Sequence, residues 1–283
     1  MRPEQDQDST SAEAESAIAR HRLALQERFP LPDLPPRPAR RKGRAAAVAV
    51  VLLTASAALL WLDPAYRTDR LATAAGERST ALLADGSTLS LNTDTELQVA
   101  WHLRSRRVTL ERGQALFDVS HARWRPFTVD AGDTRVSVVG TLFEVWRKAQ
   151  TVRVTVLRGK VRVENAGAME APVLLGANQQ VDSAGAGLSP VVQVDAGART
   201  AWKDGKLVFD RTPLADALAE LRRYTRAGIA EPDPQVASLL VSGVFDIARA
   251  DAIVELLPGI LPVAVARNER GEMVVRRLPA QKK

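Results

Sequence analysis

The chain has 283 residues, 46% of them hydrophobic and 25% charged, an ordinary globular composition that excludes bulk disorder. Lys+Arg number 39 against 33 Asp+Glu, and this thin net charge of +6 points to a solvated, slightly basic surface rather than to nucleic acid. The absence of cysteine excludes disulfides, cysteine-ligated zinc, Fe–S clusters and thiol nucleophiles together.

Residues 1–44 come first. A capping box at Thr10-Ser11-Ala12-Glu13 predicts a helix start, and Pro30 and Pro32 predict its end. Ala14, Ile18, His21, Leu25 and Phe29 recur at spacings of one helical face. No second element within 1–44 is available to cover that stripe. It is expected either to bury itself against a partner or to lie frayed on a membrane surface. His21 reads as a packing or solvent residue, not a ligand. The stretch PLPDLPPRPARRKGR at 30–44 then predicts an extended, proline-rich, basic linker.

Residues 45–62, AAAVAVVLLTASAALLWL, carry no charge, and only Thr54 and Ser56 are polar. At ~1.5 Å per residue such a helix nearly crosses a hydrocarbon core of about 30 Å. A buried core helix or the apolar part of a signal peptide would show a similar run. A signal peptide, however, is expected nearer the N-terminus and with a small-residue cleavage site, whereas Asp63-Pro64 follows here. An uncleaved transmembrane helix is the expectation. Arg37, Arg40, Arg41, Lys42 and Arg44 precede it without an acid, which by the positive-inside tendency places the N-terminus in the cytoplasm and everything after Asp63 on the exported side.

From about 70 to 181 the chain is a succession of short Val/Leu/Thr-rich runs divided by turn signals. Asp85-Gly86, Arg112-Gly113 and Arg158-Gly159 read as hairpin punctuation. Alternation at 152–157 and 160–163 predicts strands with one buried face. The expected fold is mostly β: an antiparallel β sandwich or roll at 70–181, followed by a C-terminal α+β module.

Several phrases in this region resemble the FecR protein domain. They are Gly76-Glu77-Arg78, LLADGSTLSLN at 82–92, RRVTLERGQALFDV at 106–119, RPFTVDA at 125–131, VVGTLFEV at 138–145 and VTVLRGKVRV at 154–163. Each alone is an ordinary turn or strand, but six in order make a specific signal. The same residues have structural readings: glycines that permit positive φ, and Arg125-Pro126-Phe127 leading a packed ring into a strand.

The second unit, 196–278, opens on Ala201-Trp202-Lys203-Asp204-Gly205 and a strand at 206–209. Thr212 is the expected cap of a helix with Pro213 in its first turn and Leu214, Leu218 and Leu221 on one face up to Tyr224, with Gly228 past its end. Strands at 239–243, 263–267 and 272–276 and a helix at 250–257 complete a small α+β module, expected as β-α-β-β-α-β-β. Through WKDGKLVFD at 202–210, LRRY at 221–224 and VSGVF at 241–245 it is similar to the C-terminal part of FecR-type regulators and, more distantly, to the secretin and TonB short N-terminal module.

The resemblance implies an inner-membrane signal transducer that regulates an extracytoplasmic-function sigma factor as inhibitor or activator. It receives its signal from the periplasmic signalling domain of a TonB-dependent outer-membrane transporter, in iron-chelate or other nutrient uptake. The sigma factor would bind Ile18, Leu25 and Phe29, with stepwise proteolysis releasing the helix. Family members usually carry a longer N-terminal helical domain, so the short helix here departs from the pattern and keeps a second reading open: an envelope-binding periplasmic scaffold without a sigma partner. The transporter domain would add a strand at the 239–245 edge, touching Leu239 and Ser242, with Arg222, Arg223 and Tyr224 on the adjoining helix. Val241, Val244 and Phe245 are expected to fill the module's own core. Some members self-cleave, which directs attention to Gly140-Thr141, where the Thr141 hydroxyl would attack the preceding carbonyl. The alternative is a bulge at Gly140 and an ordinary strand residue at Thr141.

No catalytic, cofactor or metal site is expected. His21, His102 and His121 form no HExxH, there is no GxSxG or P-loop, and Asp85, Asp94 and Asp130 read as turn residues or strand ends.

Overall fold

The computed structural model describes residues 6–29, 42–167, 171–185, 187–225 and 228–278. The chain divides into two compact units, Met1–Ser56 and Ala57–Lys283.

In the first unit, helix α1 (Asp6–Arg28) runs straight through the expected cap at Thr10-Ser11. The helix is thus already formed before the expected capping box. Ile18, Leu25 and Phe29 are each more than half exposed. Pro30, Pro32 and most of the predicted linker lie outside the described residues. Helix α2 (Lys42–Leu62) contains the apolar run. Its described side chains from 46 to 59 are all exposed, and Thr54 Oγ1 satisfies itself on the carbonyls of Val50 and Val51 at 3.0 Å. Among the described residues no helix is long and apolar enough to cross a membrane; the side chains at 42–45 and 60 lie outside them.

The second unit begins with a curled sheet organised by one long strand. Strands β1 (Ala65–Ala72), β2 (Ser79–Leu82), β3 (Thr88–Leu91) and β4 (Glu96–His102) precede the thirteen-residue β5 (Arg106–Asp118). After it come β6 (Phe127–Ala131), β7 (Thr134–Val138), β8 (Leu142–Lys148), β9 (Thr151–Arg158) and β10 (Val161–Asn165). The short strands β11 (Val173–Leu175), β12 (Gln179–Ala184), β13 (Gly187–Leu188) and β14 (Val192–Gln193) close the sheet. The first half of β5 joins a wing ordered β1-β4-β5-β6-β7-β10-β11, and its second half a wing ordered β2-β3-β5-β8-β9-β12.

Two expected hairpins are not hairpins. Arg112-Gly113 is a bend within β5, where Gly113 has φ +89° and a Cβ would lie 2.5 Å from Asp94 O and Thr95 Cα. Only glycine supplies both the conformation and the space. Arg158-Gly159 is a crossing between wings: β9 pairs with β8 and β12, β10 with β7 and β11. Asp85-Gly86 does close the β2–β3 hairpin. Pairing is antiparallel as expected except between β5 and β6, which run parallel.

Alternating side chains from both wings meet in one core, where Phe117 stacks on Phe143 at 5.1 Å and meets Phe127 edge-on at 6.1 Å. Leu116, Leu142, Glu144 and Leu157 point to the opposite face of the second wing, and this face is covered too.

Its cover is the C-terminal module: α3 (Ala196–Arg199), β15 (Lys206–Pro213), α4 (Leu214–Leu221), α5 (Pro234–Ala237), β16 (Leu240–Asp246), α6 (Ala250–Leu256), β17 (Val263–Arg267) and β18 (Met273–Arg277). Here the sequence reading needs three corrections. Thr212 is a strand residue and caps nothing: β15 bulges after Phe209, with Arg211 at φ +46°, and resumes pairing as Thr212–Val241 and Pro213–Leu240. The helix opens instead with Leu214 N donating to Leu239 O at 2.7 Å. Finally, the expected extra strand is absent among the described residues, which give two separate antiparallel pairs, β15–β16 and β17–β18. Trp202, Leu214, Leu218, Ile253, Val254 and Val263 are among the side chains that form the module's core.

Candidate functional site

The second wing and the module meet through a buried polar network. Glu144 sits on β8 between apolar neighbours, and its Oε1 accepts from Gln114 Nε2 at 2.8 Å and Trp202 Nε1 at 2.6 Å. Gln114 Oε1 accepts from Asn92 Nδ2 at 2.8 Å, and the same amide donates to the Tyr224 hydroxyl at 2.6 Å. Thr93 Oγ1 donates to Arg223 O at 3.0 Å, and Arg78 donates to Trp202 O at 2.5 Å. The Arg223 guanidinium lies 4.7 Å over the Trp146 ring and pairs with Glu220 at 2.6 Å. Strands β5 and β8, with the loops at Arg78 and at Asn92–Thr93, thus grip the Trp202 turn and the residues just past α4.

Burial pushes the Glu144 carboxyl up to about 7, the hydrogen bonds from Trp202 and Gln114 offsetting only part of that cost. Burial also raises the Tyr224 hydroxyl. Because Glu144 binds its proton more tightly folded than unfolded, its contribution to stability is fully present below about 4.5 and is lost as pH rises through about 7. That loss amounts to about 3 kcal/mol. Glu144→Gln is expected to flatten the fall in stability between about pH 5 and about pH 8, read as denaturant midpoints across that range. An unchanged slope in the variant would show that Glu144 is not the titrating group.

Of the residues expected to receive a transporter domain, Arg223 and Tyr224 face this internal joint and are engaged by it. Arg222 pairs with Glu231 at 2.5 Å. Leu239 packs against the module core, and Ser242 Oγ accepts from Arg211 N at 2.9 Å. Among the described residues strand β16 pairs with β15 alone, which leaves its other edge without a strand, and Leu240 and Val244 are exposed. Val241 and Phe245 join the core as expected, whereas Val244 does not.

Gly140 and Thr141 lie between β7 and β8, so Thr141 precedes a strand rather than belonging to one. Gly140 does not have positive φ. Glycine is needed there for closeness: a Cβ would lie 2.7 Å from His121 Nδ1. Thr141 is buried and its hydroxyl has no hydrogen-bond partner, while its carbonyl accepts from Val119 N at 2.9 Å. His121 and Gly140 also line an open cleft of about 330 Å³ with Asp118, Ser120 and Arg158. Among the described residues no group of three His, Cys, Asp or Glu could hold a metal ion.

Sequence reasoning named none of Asn92, Gln114, Glu144 or Trp202 as a polar joint. The available signal was Glu144 itself, a single acid in the otherwise apolar run LFEVW.

No curated protein matches the chain. Two crystal structures of a candidate anti-sigma factor from Parabacteroides distasonis resemble it at 25% identity. One has a TM-score of 0.62 and covers 75% of this chain and 99% of its own, the other 0.63 with 74% and 99%. The family model described as FecR protein matches residues 69–162, which run from β1 through the bent β5 to β10. The chain therefore carries a FecR domain.

Proposed function

We propose that the chain is a single-pass inner-membrane regulator of an extracytoplasmic-function sigma factor. The FecR domain, in a fold shared with a candidate anti-sigma factor, carries this reading. On sequence grounds residues 45–62 span the bilayer, with α1 in the cytoplasm and the unit from Asp63 onward in the periplasm. The sigma factor binds the Ile18, Leu25 and Phe29 face of α1, whose three side chains are exposed. The signal arrives from a TonB-dependent transporter engaged in iron-chelate or nutrient uptake, whose signalling domain adds a strand to the open edge of β16 beside Ser242. Arg222 at the end of α4 and the Leu239 turn flank that edge, while Arg223 and Tyr224 transmit its displacement to the β domain through the Glu144 joint.

The test is transcription from a promoter of the sigma factor. Ile18→Asp, Leu25→Asp and Phe29→Asp together are expected to change it severalfold at equal protein level, since each charge would have to enter an apolar contact costing about 1–3 kcal/mol. Unchanged transcription would remove α1 as the sigma-binding element. We further assign Gly140-Thr141 as the site of self-cleavage: the buried, unpartnered Thr141 hydroxyl attacks the Gly140 carbonyl, the amide C–N bond breaks as an ester forms and the Thr141 amine is protonated, and water then hydrolyses the ester to a Gly140 carboxylate and a free Thr141 hydroxyl. Purified wild type is expected to contain a fragment beginning at Thr141 that Thr141→Ala lacks. Full-length protein alone would sink this assignment.

A further inference from the structure

The end of the β domain from which α2 leaves has an unusual surface. Asp63 follows the last helical residue, and it is tied down at once. Its carboxylate accepts from Arg104 N at 2.9 Å and Ser105 Oγ at 2.8 Å, and its carbonyl meets His102 Nδ1. Two residues later Ala65 pairs with His102, opening the β1–β4 ladder. Arg125 then ties the loop before β6 to the same turn by donating to His102 O at 2.7 Å, and Arg106 N and Nε bond to the carbonyls of Pro126 and Arg125. Asp63, the 102–105 turn and the 122–126 loop are therefore hydrogen-bonded into one corner of the β domain.

That corner projects large apolar side chains that the fold leaves uncovered. Trp124 is 87% exposed and Trp61 82%, and Tyr66 and Leu103 are also exposed. Arg104 and Arg123 stand beside them in sequence, both exposed, with the Asp63 carboxylate close enough to Arg104 for that charge to help hold it below its usual range. Tryptophan and tyrosine with arginine is the composition favoured at the headgroup level of a bilayer. Basic side chains there add attraction to anionic lipid, about 1 kcal/mol each.

We propose that this corner is a bilayer-docking face, in which Trp124, Leu103 and Tyr66 enter the headgroup region and Arg104 and Arg123 meet anionic headgroups. It rests on the reading that 45–62 spans the membrane. On that reading Asp63 directly follows the last residue of the span, which brings the corner to the bilayer surface.

The experiment uses the full chain carrying Trp61→Phe, reconstituted in vesicles of equimolar phosphatidylcholine and phosphatidylglycerol with bromine near the headgroup end of the acyl chains. Alkaline carbonate washing first reports the anchor. Tryptophan emission is expected to be quenched, and Trp124→Phe in the same background is expected to remove most of that quenching. Arg104→Ser with Arg123→Ser should weaken it when phosphatidylglycerol is present and change little in pure phosphatidylcholine. Protein that washes off would overturn the span and the face together. Protein that stays while Trp124 escapes quenching would overturn the face alone. Trp124 emission that shifts with protein concentration but not with bromine would replace the bilayer by a second copy of the chain.

Discussion

Trp202→Ala is expected to lower the stability of the full chain by about 3–5 kcal/mol, the cost of emptying a large buried aromatic site. Trp202 is almost completely buried in the module core, and it also joins that core to the β domain through Glu144. The substitution therefore both opens a cavity and leaves a buried carboxyl with one donor fewer. Trp202→Phe keeps an aromatic ring but loses the indole donor and part of its volume, so the loss is expected to be smaller, about 1–3 kcal/mol, from the carboxyl left one donor short and the smaller ring together. Denaturant midpoints for the two variants check this. Since the joint is what fastens the module, protease sensitivity in the 188–205 stretch should rise with Trp202→Ala and less with Trp202→Phe. A loss below about 1 kcal/mol for alanine would mean that the module is held elsewhere.

Gly113→Val is expected to prevent the β domain from reaching its native form at 37 °C, by about 3 kcal/mol or more of combined strain and overpacking. A β-branched residue at φ +89° is a steric outlier, and its Cβ would meet Asp94 O and Thr95 Cα at 2.5 Å with backbone on both sides. Neither neighbour can move easily, because Thr95 Oγ1 donates to Gln114 O at 3.1 Å and accepts from Gln114 N at 3.0 Å. Gly76→Val provides the control: it also has positive φ, but no atom lies within 4 Å of its Cβ, so it carries the backbone strain without the collision. Soluble expression and thermal midpoints of the pair measure the difference. Equal effects would show that packing at the bend contributes nothing.

The strands were legible where alternation was local. The runs behind β3, β6 and β10 alternate in burial, β9 buries part of both faces, and Asp85-Gly86 closes a hairpin as its residue types require. The wings were not legible, because Gly113 and Gly159 have the composition of turns and only the pairing of distant strands reveals a bend and a crossing. In the module, Leu214, Leu218 and Leu221 announced their helix, but the bulge at Arg211 that carries β15 past Thr212 has no sequence signature. Tyr224 and Arg223 were assigned to an outside partner for a related reason. A helix end with polar residues looks exposed until the second wing is folded against it and Asn92 and Thr93 claim the hydroxyl and the carbonyl. Ile18, Leu25 and Phe29 are exposed on α1, as spacing alone could not tell.

The most direct test of the regulator reading is recovery of the intact chain from membranes through a C-terminal tag, with identification of what accompanies it. A sigma factor and a TonB-dependent transporter are expected together, with the sigma factor alone lost when Ile18, Leu25 and Phe29 are replaced by aspartate. Recovery of envelope proteins with no sigma factor, from wild type and variant alike, would contradict it.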